Sequence, residues 1–164
     1  MVSQLRKETE MKVYAYTSKL NEAGHPYLVK DRTYKVDGRK RFDTPEKIAD
    51  FVMGIDIQNC AEEFMYVLCF DSALHLIGCF ELSHGTVNAT LVTPREIFLK
   101  SLQIGATQIA LTHNHPSGDL TPSKEDVMIT KRVAEAGNLL CIPLVDHLIV
   151  SRDGYVSMRS EGCF

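Results

Sequence analysis

The residues best suited to metal chemistry lie between His113 and Asp126. His113 and His115 are separated by one residue, and Ser123 and Asp126 follow after a loop that contains proline and glycine. Residues i and i+2 of a strand point to the same face, so the two imidazoles of an extended His-x-His segment converge. Asp126 falls in the first turn of a predicted helix, which can return a carboxylate to the same point. The segment therefore predicts a His, His, Asp site for a divalent metal.

This donor set also predicts which metal is bound. Three protein ligands leave the fourth position of a tetrahedral site to water, which is typical of catalytic zinc. Nitrogen and oxygen donors without a thiolate suit zinc among the divalent metals, so we expect one Zn²⁺ per chain. The structural alternative is that Ser123 and Asp126 only form an N-terminal helix cap. A cap does not explain the two histidines at the end of a buried strand.

A metal-dependent hydrolase also needs a general base that reaches the reacting water without binding the metal. The candidates are Glu62 and Glu63, which open a predicted strand, and Glu81 in the next one. Spacing alone does not choose among them. For Glu62 and Glu63, the alternative is a solvated charge at the end of a strand.

Strand and helix patterns alternate along the chain. Apolar alternation or short apolar runs predict strands at 11–17, 27–36, 64–70, 76–82, 106–112, 144–150 and 155–158. Helix starts are predicted at Thr44-Pro45, Thr93-Pro94 and Ser123, and the last helix is expected to stop at Gly137. This order predicts an α/β fold in which a mixed central sheet is flanked by helices.

The sequence HNHPSGDLTPSKED at 113–126 fits the JAMM pattern of H-x-H-P, six residues and then S-x-x-D. It resembles the JAB/MPN metallopeptidase superfamily. The helix start TPREI at 93–97 and the strand DHLIV at 146–150 are similar, more narrowly, to the RadC family. The resemblance covers roughly 62–158. It implies a JAB/MPN-like, cytidine-deaminase-like layered fold for a domain of residues 62–164.

The resemblance also implies individual roles. The residues that correspond to the family's zinc ligands are His113, His115 and Asp126. The motif serine, which stabilises the oxyanion in the family, corresponds to Ser123. The family's catalytic glutamate stands eight residues before an aspartate that closes the first strand, which matches Glu63 before Asp71. The resemblance therefore selects Glu63 among the candidate bases.

The activity implied by the resemblance is that of a zinc-dependent metallopeptidase or isopeptidase acting on a polypeptide substrate. Glu63 would take the proton of a metal-activated water, the oxygen would attack an amide carbonyl, and the metal and Ser123 would hold the oxyanion. Asp146 and His147 form a second polar pair. Support of the metal site and hydrogen bonding at the end of the sheet remain open for this pair.

Residues 1–61 are predicted to form an N-terminal extension of two strands and one helix. Longer RadC proteins carry a helix-hairpin-helix region linked to DNA binding, but no G-x-G turn of that kind occurs in this segment. A role in DNA repair or in a mobile element is the alternative function, with DNA as the partner. The basic run Arg39-Lys40-Arg41 supports it, whereas the net charge of −3 opposes it.

Two other functional classes fit less well. A zinc-dependent nucleobase deaminase needs H-x-E with P-C-x-x-C, and neither motif occurs. A non-catalytic adaptor that has lost its ligands is disfavoured because all four motif positions are intact. Exposed apolar strand edges are compatible with a homodimer.

Composition and segment patterns predict a folded cytoplasmic protein. Hydrophobic residues make up 45% and charged residues 24% of the chain, which excludes disorder. Neither a signal-peptide pattern nor an apolar run of roughly 18 residues is present, so no membrane partner is expected. Five scattered cysteines are expected to be reduced, and buried as small hydrophobic side chains. They are Cys60, Cys69, Cys79, Cys141 and Cys163.

Overall fold

The computed structural model describes residues 10–85 and 92–164, so residues 1–9 of the predicted N-terminal extension lie outside the described part. The described residues form seven strands, three α-helices and one 3-10 helix. The strands are β1 (Glu10–Leu20), β2 (Pro26–Asp37), β3 (Glu63–Phe70), β4 (Leu76–Gly85), β5 (Gln108–Asn114), β6 (Leu144–Ser151) and β7 (Gly154–Ser157). The helices are α1 (Pro45–Gly54), α2 (Pro94–Gln103) and α3 (Lys124–Leu140), and the 3-10 helix is Ile57–Asn59.

The seven strands form one mixed sheet in the order β2-β1-β4-β3-β5-β6-β7. β3 and β4 pair as an antiparallel hairpin. β5 is antiparallel to β3 on one side and parallel to β6 on the other. The strand that carries His113 and leads into His115 is therefore held from both sides in the interior of the sheet.

Each face of the sheet has its own core. Because successive strand residues point to opposite faces, Leu68 of β3 packs on the side of α1, and Val67 packs on the side of α2 and α3. Ile48 of α1 lies in the first core, and Ile97 of α2 and Ile129 of α3 lie in the second. The sheet thus lies between one helix and two helices, and the predicted α/β class is confirmed.

The first two strands are continuous with the rest of the sheet. β1 pairs with β2 and, over Tyr14 and Ala15, runs parallel to β4. Val13 and Ala15 lie in the same core as Leu68. Residues 10–61 therefore extend the sheet and its core, and a domain boundary at residue 61 stays a prediction.

The predicted end of α3 is wrong. The helix continues past Gly137 to Leu140 and is followed by Cys141 in the left-handed conformation, with a φ of 57°. Gly137 is needed for packing instead, since a Cβ there would lie 2.5 Å from the carbonyl oxygen of Ile142. Of the described helices, none combines the length and the apolar character that crossing a membrane requires.

The cysteine prediction holds for only part of the set. All five cysteines are free, and Cys69 and Cys79 are buried in the sheet as expected. Cys60 and Cys163 are only partly buried. The prediction is wrong for Cys141, which is exposed because it caps the end of α3 at the surface.

Candidate metal centre

Strand β5 brings the two histidines together. His113 lies within the strand, and the backbone amide of His115 donates to the carbonyl of Val150 of β6, which extends the pairing past the end of the strand. The Nε2 atoms of His113 and His115 are 3.0 Å apart. Both imidazoles thus converge on one point, as the period of the strand predicts.

The N-terminus of α3 delivers the carboxylate. Ser123 caps the helix through its Oγ, which accepts from the backbone amide of Asp126 at 3.0 Å. Asp126 Oδ2 accepts in return from the amide and the hydroxyl of Ser123, at 2.8 and 2.6 Å. The capping box predicted as the structural alternative therefore exists. It also fixes the rotamer that directs the Asp126 carboxylate at the histidines.

The spacing of these donor atoms fits a metal ion. His113 Nε2 is 3.3 Å from Asp126 Oδ1, and His115 Nε2 is 3.7 Å from Asp126 Oδ2. Bonds of about 2.0–2.1 Å to tetrahedral zinc would separate two ligands by roughly 3.3 Å. With Glu63, one donor atom from each of the four residues lies within 4.8 Å of the others. The chain can therefore hold a metal ion here.

Glu63 is the candidate base that joins this cluster. It opens β3 beside β5, and the pairing of Met65 with His113 places it at the same end of the sheet as the histidines. Glu81 is engaged elsewhere, where it accepts from the hydroxyl of Tyr66 at 3.1 Å. Glu62 is exposed. The structure thus brings together His113, His115, Asp126 and Glu63, with Ser123 beside Asp126.

Asn114 is a site residue that the sequence analysis did not identify. Its Oδ1 accepts from the backbone amide of Phe64 at 2.7 Å, and its Nδ2 donates to the carbonyl of Glu62 at 3.0 Å. The side chain is fully buried. It therefore holds the backbone on both sides of Glu63. The alternation of a strand was the available signal, because the residue between two inward histidines must point to the other face.

The electrostatics of the cluster favour an ionised aspartate. Burial alone would raise the pKa of Asp126, but the neighbouring imidazoles of His113 and His115 hold it well below its usual value. The hydrogen bond to Asp126 raises the pKa of His115. Burial raises the pKa of Glu63, against the opposing effect of the two histidines. Glu63 is thus a stronger base than an exposed glutamate.

The centre is closed on one side and open on the other. The side chains of His113 and Asp126 are 0% and 5% exposed, whereas that of His115 is 15% exposed. Glu63 is only partly buried. Solvent therefore reaches the cluster beside His115 and Glu63.

The sequence left two roles open for Asp146 and His147, which were hydrogen bonding at the end of the sheet and support of the metal site. Asp146 has the first role and His147 contacts the site. Asp146 accepts from the hydroxyl of Ser157 at 2.7 Å and from the amide of His147, which are contacts that stabilise the end of the sheet. His147 is fully buried, and its Nε2 lies 2.8 Å from His113 Nδ1. Its Nδ1 lies 2.6 Å from Thr130 Oγ1 of α3. His147 thus contacts a candidate ligand directly, and Thr130 is a second contact that the sequence analysis missed.

The basic run before α1 makes contacts within the chain. Lys40 lies 3.8 Å from Asp50, and Arg41 donates through Nε to the carbonyl of Ala73 at 3.0 Å. Arg39 is exposed. Two of the three cations therefore have intramolecular partners, which weakens the case for a nucleic-acid contact.

Comparison with known proteins finds one matching family model and several similar proteins that share one name. A family model described as a RadC-like JAB domain matches residues 42–163, more than half of the chain. A UPF0758 protein of Thermotoga maritima is 48% identical over 100 residues, which cover 61% of this chain and 45% of the relative. UPF0758 proteins of Pelobacter propionicus and Clostridium botulinum strain Okra are 34% and 37% identical over 128 and 131 residues. These matches cover 78% and 80% of this chain, and 56% and 57% of the relatives.

The chain spans about half the length of the curated relatives that it matches. The range matched by the family model begins with α1 and contains the whole metal cluster. The mixed sheet flanked by helices agrees with a JAB-like fold. By its matched domain and its fold, the chain belongs to the RadC family of the JAB/MPN superfamily.

Proposed function

We propose that the protein is a zinc-dependent hydrolase of amide bonds, a metallopeptidase or isopeptidase. The observation that carries the proposal is the convergence of donor atoms from His113, His115 and Asp126, whose separations of 3.0, 3.3 and 3.7 Å bracket the spacing of tetrahedral ligands. Glu63 approaches the same point from another strand. A ligand set with a free carboxylate beside it and an open side to solvent is what metal-assisted hydrolysis requires.

The four residues would divide the work. His113, His115 and Asp126 would hold the ion, and zinc when bound supplies Lewis acidity that lowers the pKa of water to about 7. Glu63 would accept the proton of the attacking water and return it to the leaving amine. Its raised pKa suits the first step, because a group that accepts a proton must not be too weak a base.

Ser123 would stabilise the oxyanion only after a local change. Its hydroxyl donates to Asp126 Oδ2 at 2.6 Å and accepts from the Asp126 amide. Both of its hydrogen-bonding roles are therefore in use. Rotation about the Cα–Cβ bond would release the proton toward a substrate oxygen, and Asp126 would keep its bond from the Ser123 amide.

The substrate class can be tested with peptides of two kinds. Zinc-loaded protein would be incubated with linear unstructured peptides and with branched peptides that carry an amide on a lysine side chain, and the products read by mass spectrometry. Cleavage of one kind identifies the bond. Glu63→Gln should abolish cleavage and retain zinc. Glu62→Gln is the matched control, because it removes the neighbouring exposed carboxylate and should leave cleavage unchanged.

Two outcomes would contradict the proposal. Cleavage that persists in Glu63→Gln would remove the assigned base. Loss of zinc in Glu63→Gln would make Glu63 a ligand and leave the site without its proton acceptor.

A further inference from the structure

We propose that Thr130 and His147 are positioning residues that fix the proton of His113 on Nδ1, so that Nε2 presents its lone pair to the metal. The inference rests on the proposed function, in which the centre holds zinc. It concerns a chain of three hydrogen-bonding side chains behind the cluster, from α3 through β6 to β5.

The second histidine shows what such positioning requires. His115 Nδ1 is hydrogen bonded to the backbone carbonyl of Asp119. A carbonyl oxygen only accepts, so the single proton of a neutral His115 must lie on Nδ1, and Nε2 is left for the metal. A backbone group thus determines the tautomer of this ligand.

His113 has no such unambiguous partner. Its Nδ1 faces Nε2 of His147, and a neutral imidazole nitrogen either donates or accepts. Its Nε2 lies 3.3 Å from Asp126 Oδ1, an acceptor that favours a proton on Nε2. Such a proton would occupy the lone pair that the metal needs. The tautomer of His113 therefore depends on whether His147 Nε2 donates or accepts in its hydrogen bond with His113 Nδ1.

Thr130 determines which atom donates in the hydrogen bond between His147 and His113. Its single hydroxyl proton is donated to the carbonyl of Asp126, four residues earlier in α3, and the other acceptor that it faces is Met158 Sδ at 3.6 Å. Thr130 Oγ1 can then only accept from His147 Nδ1, 2.6 Å away. The proton of a neutral His147 lies on Nδ1, its Nε2 accepts from His113 Nδ1, and His113 Nε2 is left without a proton. Full burial of His147 favours its neutral form.

This series of hydrogen bonds begins and ends at Asp126. The carbonyl of Asp126 accepts the proton of Thr130, and the carboxylate of Asp126 faces His113 Nε2, which the hydrogen bonds leave without a proton. One turn of α3 thereby positions the carboxylate of Asp126 and also determines the tautomer of His113. The contact depends on the i, i+4 spacing that brings Thr130 below Asp126 on the same helix face.

Thr130→Val tests the inference, because valine has nearly the shape of threonine and lacks the hydroxyl. His147 then has no acceptor for a proton on Nδ1, and the buried ring gains by moving that proton to Nε2. His147 would donate to His113 Nδ1, and the proton of His113 would move to Nε2. Zinc affinity, measured by competition with a chromogenic chelator, should fall roughly 10- to 100-fold.

Two further variants separate positioning from packing. Thr130→Ser keeps the hydroxyl and should restore the wild-type zinc affinity. Ser101→Ala is the matched control, since Ser101 is also a fully buried helical hydroxyl that donates to the carbonyl four residues earlier, that of Ile97, at 2.8 Å. It should leave zinc affinity unchanged. Equal zinc affinity in wild type and Thr130→Val would overturn the inference.

The tautomer can also be read without metal. Long-range ¹H–¹⁵N spectra of the metal-free protein, at alkaline pH, should show the proton of His113 on Nδ1 in the wild type and on Nε2 in Thr130→Val. A proton on Nε2 in the wild type, or no change in the variant, would overturn the inference. Failure of the wild type to bind zinc would contradict the proposed function, and the spectra would still decide the role of Thr130.

Discussion

Asn114 Oδ1 accepts a hydrogen bond of 2.7 Å from the backbone amide of Phe64, across the two strands that carry the candidate ligands and the candidate base. The side-chain Nδ2 of Asn114 donates to the carbonyl of Glu62. The segment His113-Asn114-His115 thus presents two imidazoles on one face and holds the backbone of Glu63 with its middle residue.

Asn114→Leu should therefore damage catalysis more than metal binding. The substitution leaves the amide of Phe64 and the carbonyl of Glu62 without partners, at a cost of about 1–3 kcal/mol for a buried unsatisfied group. Glu63 would lose its position, while the ligands on β5 and α3 would stay in place. Chemical unfolding, zinc competition and peptide cleavage measure the three effects. A variant with normal cleavage would contradict this role of Asn114.

Ser123→Ala and Asp126→Ala should distinguish the contribution of the helix cap to stability from the contribution of the carboxylate to zinc binding. Ser123→Ala removes the hydroxyl of the cap and should cost about 1 kcal/mol of stability, with zinc retained because the carboxylate remains. Asp126→Ala should lose both stability and zinc. Glu125→Ala is the control, since Glu125 is an exposed carboxylate in the same first turn. Equal zinc content in Asp126→Ala and Glu125→Ala would remove Asp126 from the ligand set.

Zinc binding should depend on pH through His115. The hydrogen bond to Asp126 raises the pKa of His115 above the ordinary value of 6.5, so the ring stays protonated to a higher pH than a free histidine. A metal must displace that proton. Apparent zinc affinity should therefore rise as the pH rises through the raised pKa and then level off. Calorimetry in two buffers of different ionisation enthalpy should show proton release below that pKa.

The same shift affects the metal-free fold with the opposite sign. Because the folded pKa of His115 is raised, its ion pair with Asp126 stabilises the fold at low pH, and this contribution is lost as the pH rises through the folded pKa. The contribution can be isolated as the difference in unfolding free energy between wild type and His115→Gln. A difference that grows with pH would contradict the shift.

Gly137→Ala should destabilise the protein, although alanine normally favours a helix. A Cβ at Gly137 would lie 2.5 Å from the carbonyl oxygen of Ile142, and relieving that overlap should cost roughly 1–3 kcal/mol. Gly54→Ala at the end of α1 is the matched control, because nothing lies within 4 Å of its Cβ position. Thermal unfolding compares the two. Equal melting temperatures would contradict the close approach.

The DNA alternative can be tested directly. Since Lys40 and Arg41 have partners within the chain, we expect no salt-dependent binding of duplex DNA at low ionic strength. Electrophoretic mobility shifts of the intact chain measure this. Binding that is lost when Arg39, Lys40 and Arg41 are neutralised together would contradict the expectation and support a DNA-associated role.

Local patterns predicted the part of the site that depends on local geometry. The convergence of His113 and His115 follows from the period of one strand, and the return of Asp126 follows from a helix cap. Glu63 required the resemblance to a family. Its approach depends on the pairing of β3 with β5, which brings together residues about fifty positions apart in the sequence.

Tertiary contacts determine the rest. Thr130 resembled an ordinary residue in the middle of a helix, and its role depends on where β6 places His147. The end of α3 was misplaced because Gly137 satisfies a close contact with the segment after the helix, and does not terminate it. Both features follow from the packing of α3 on the sheet, which periodicity along a single segment does not encode.

The central claim is that His113, His115 and Asp126 hold a zinc ion. Elemental mass spectrometry of the purified wild type, beside the double variant His113→Ala with His115→Ala, tests it most directly. The account predicts close to one zinc per wild-type chain and none in the folded double variant. A folded wild type without metal after zinc reconstitution would contradict the claim, and would leave the segment as a helix cap beside two polar histidines.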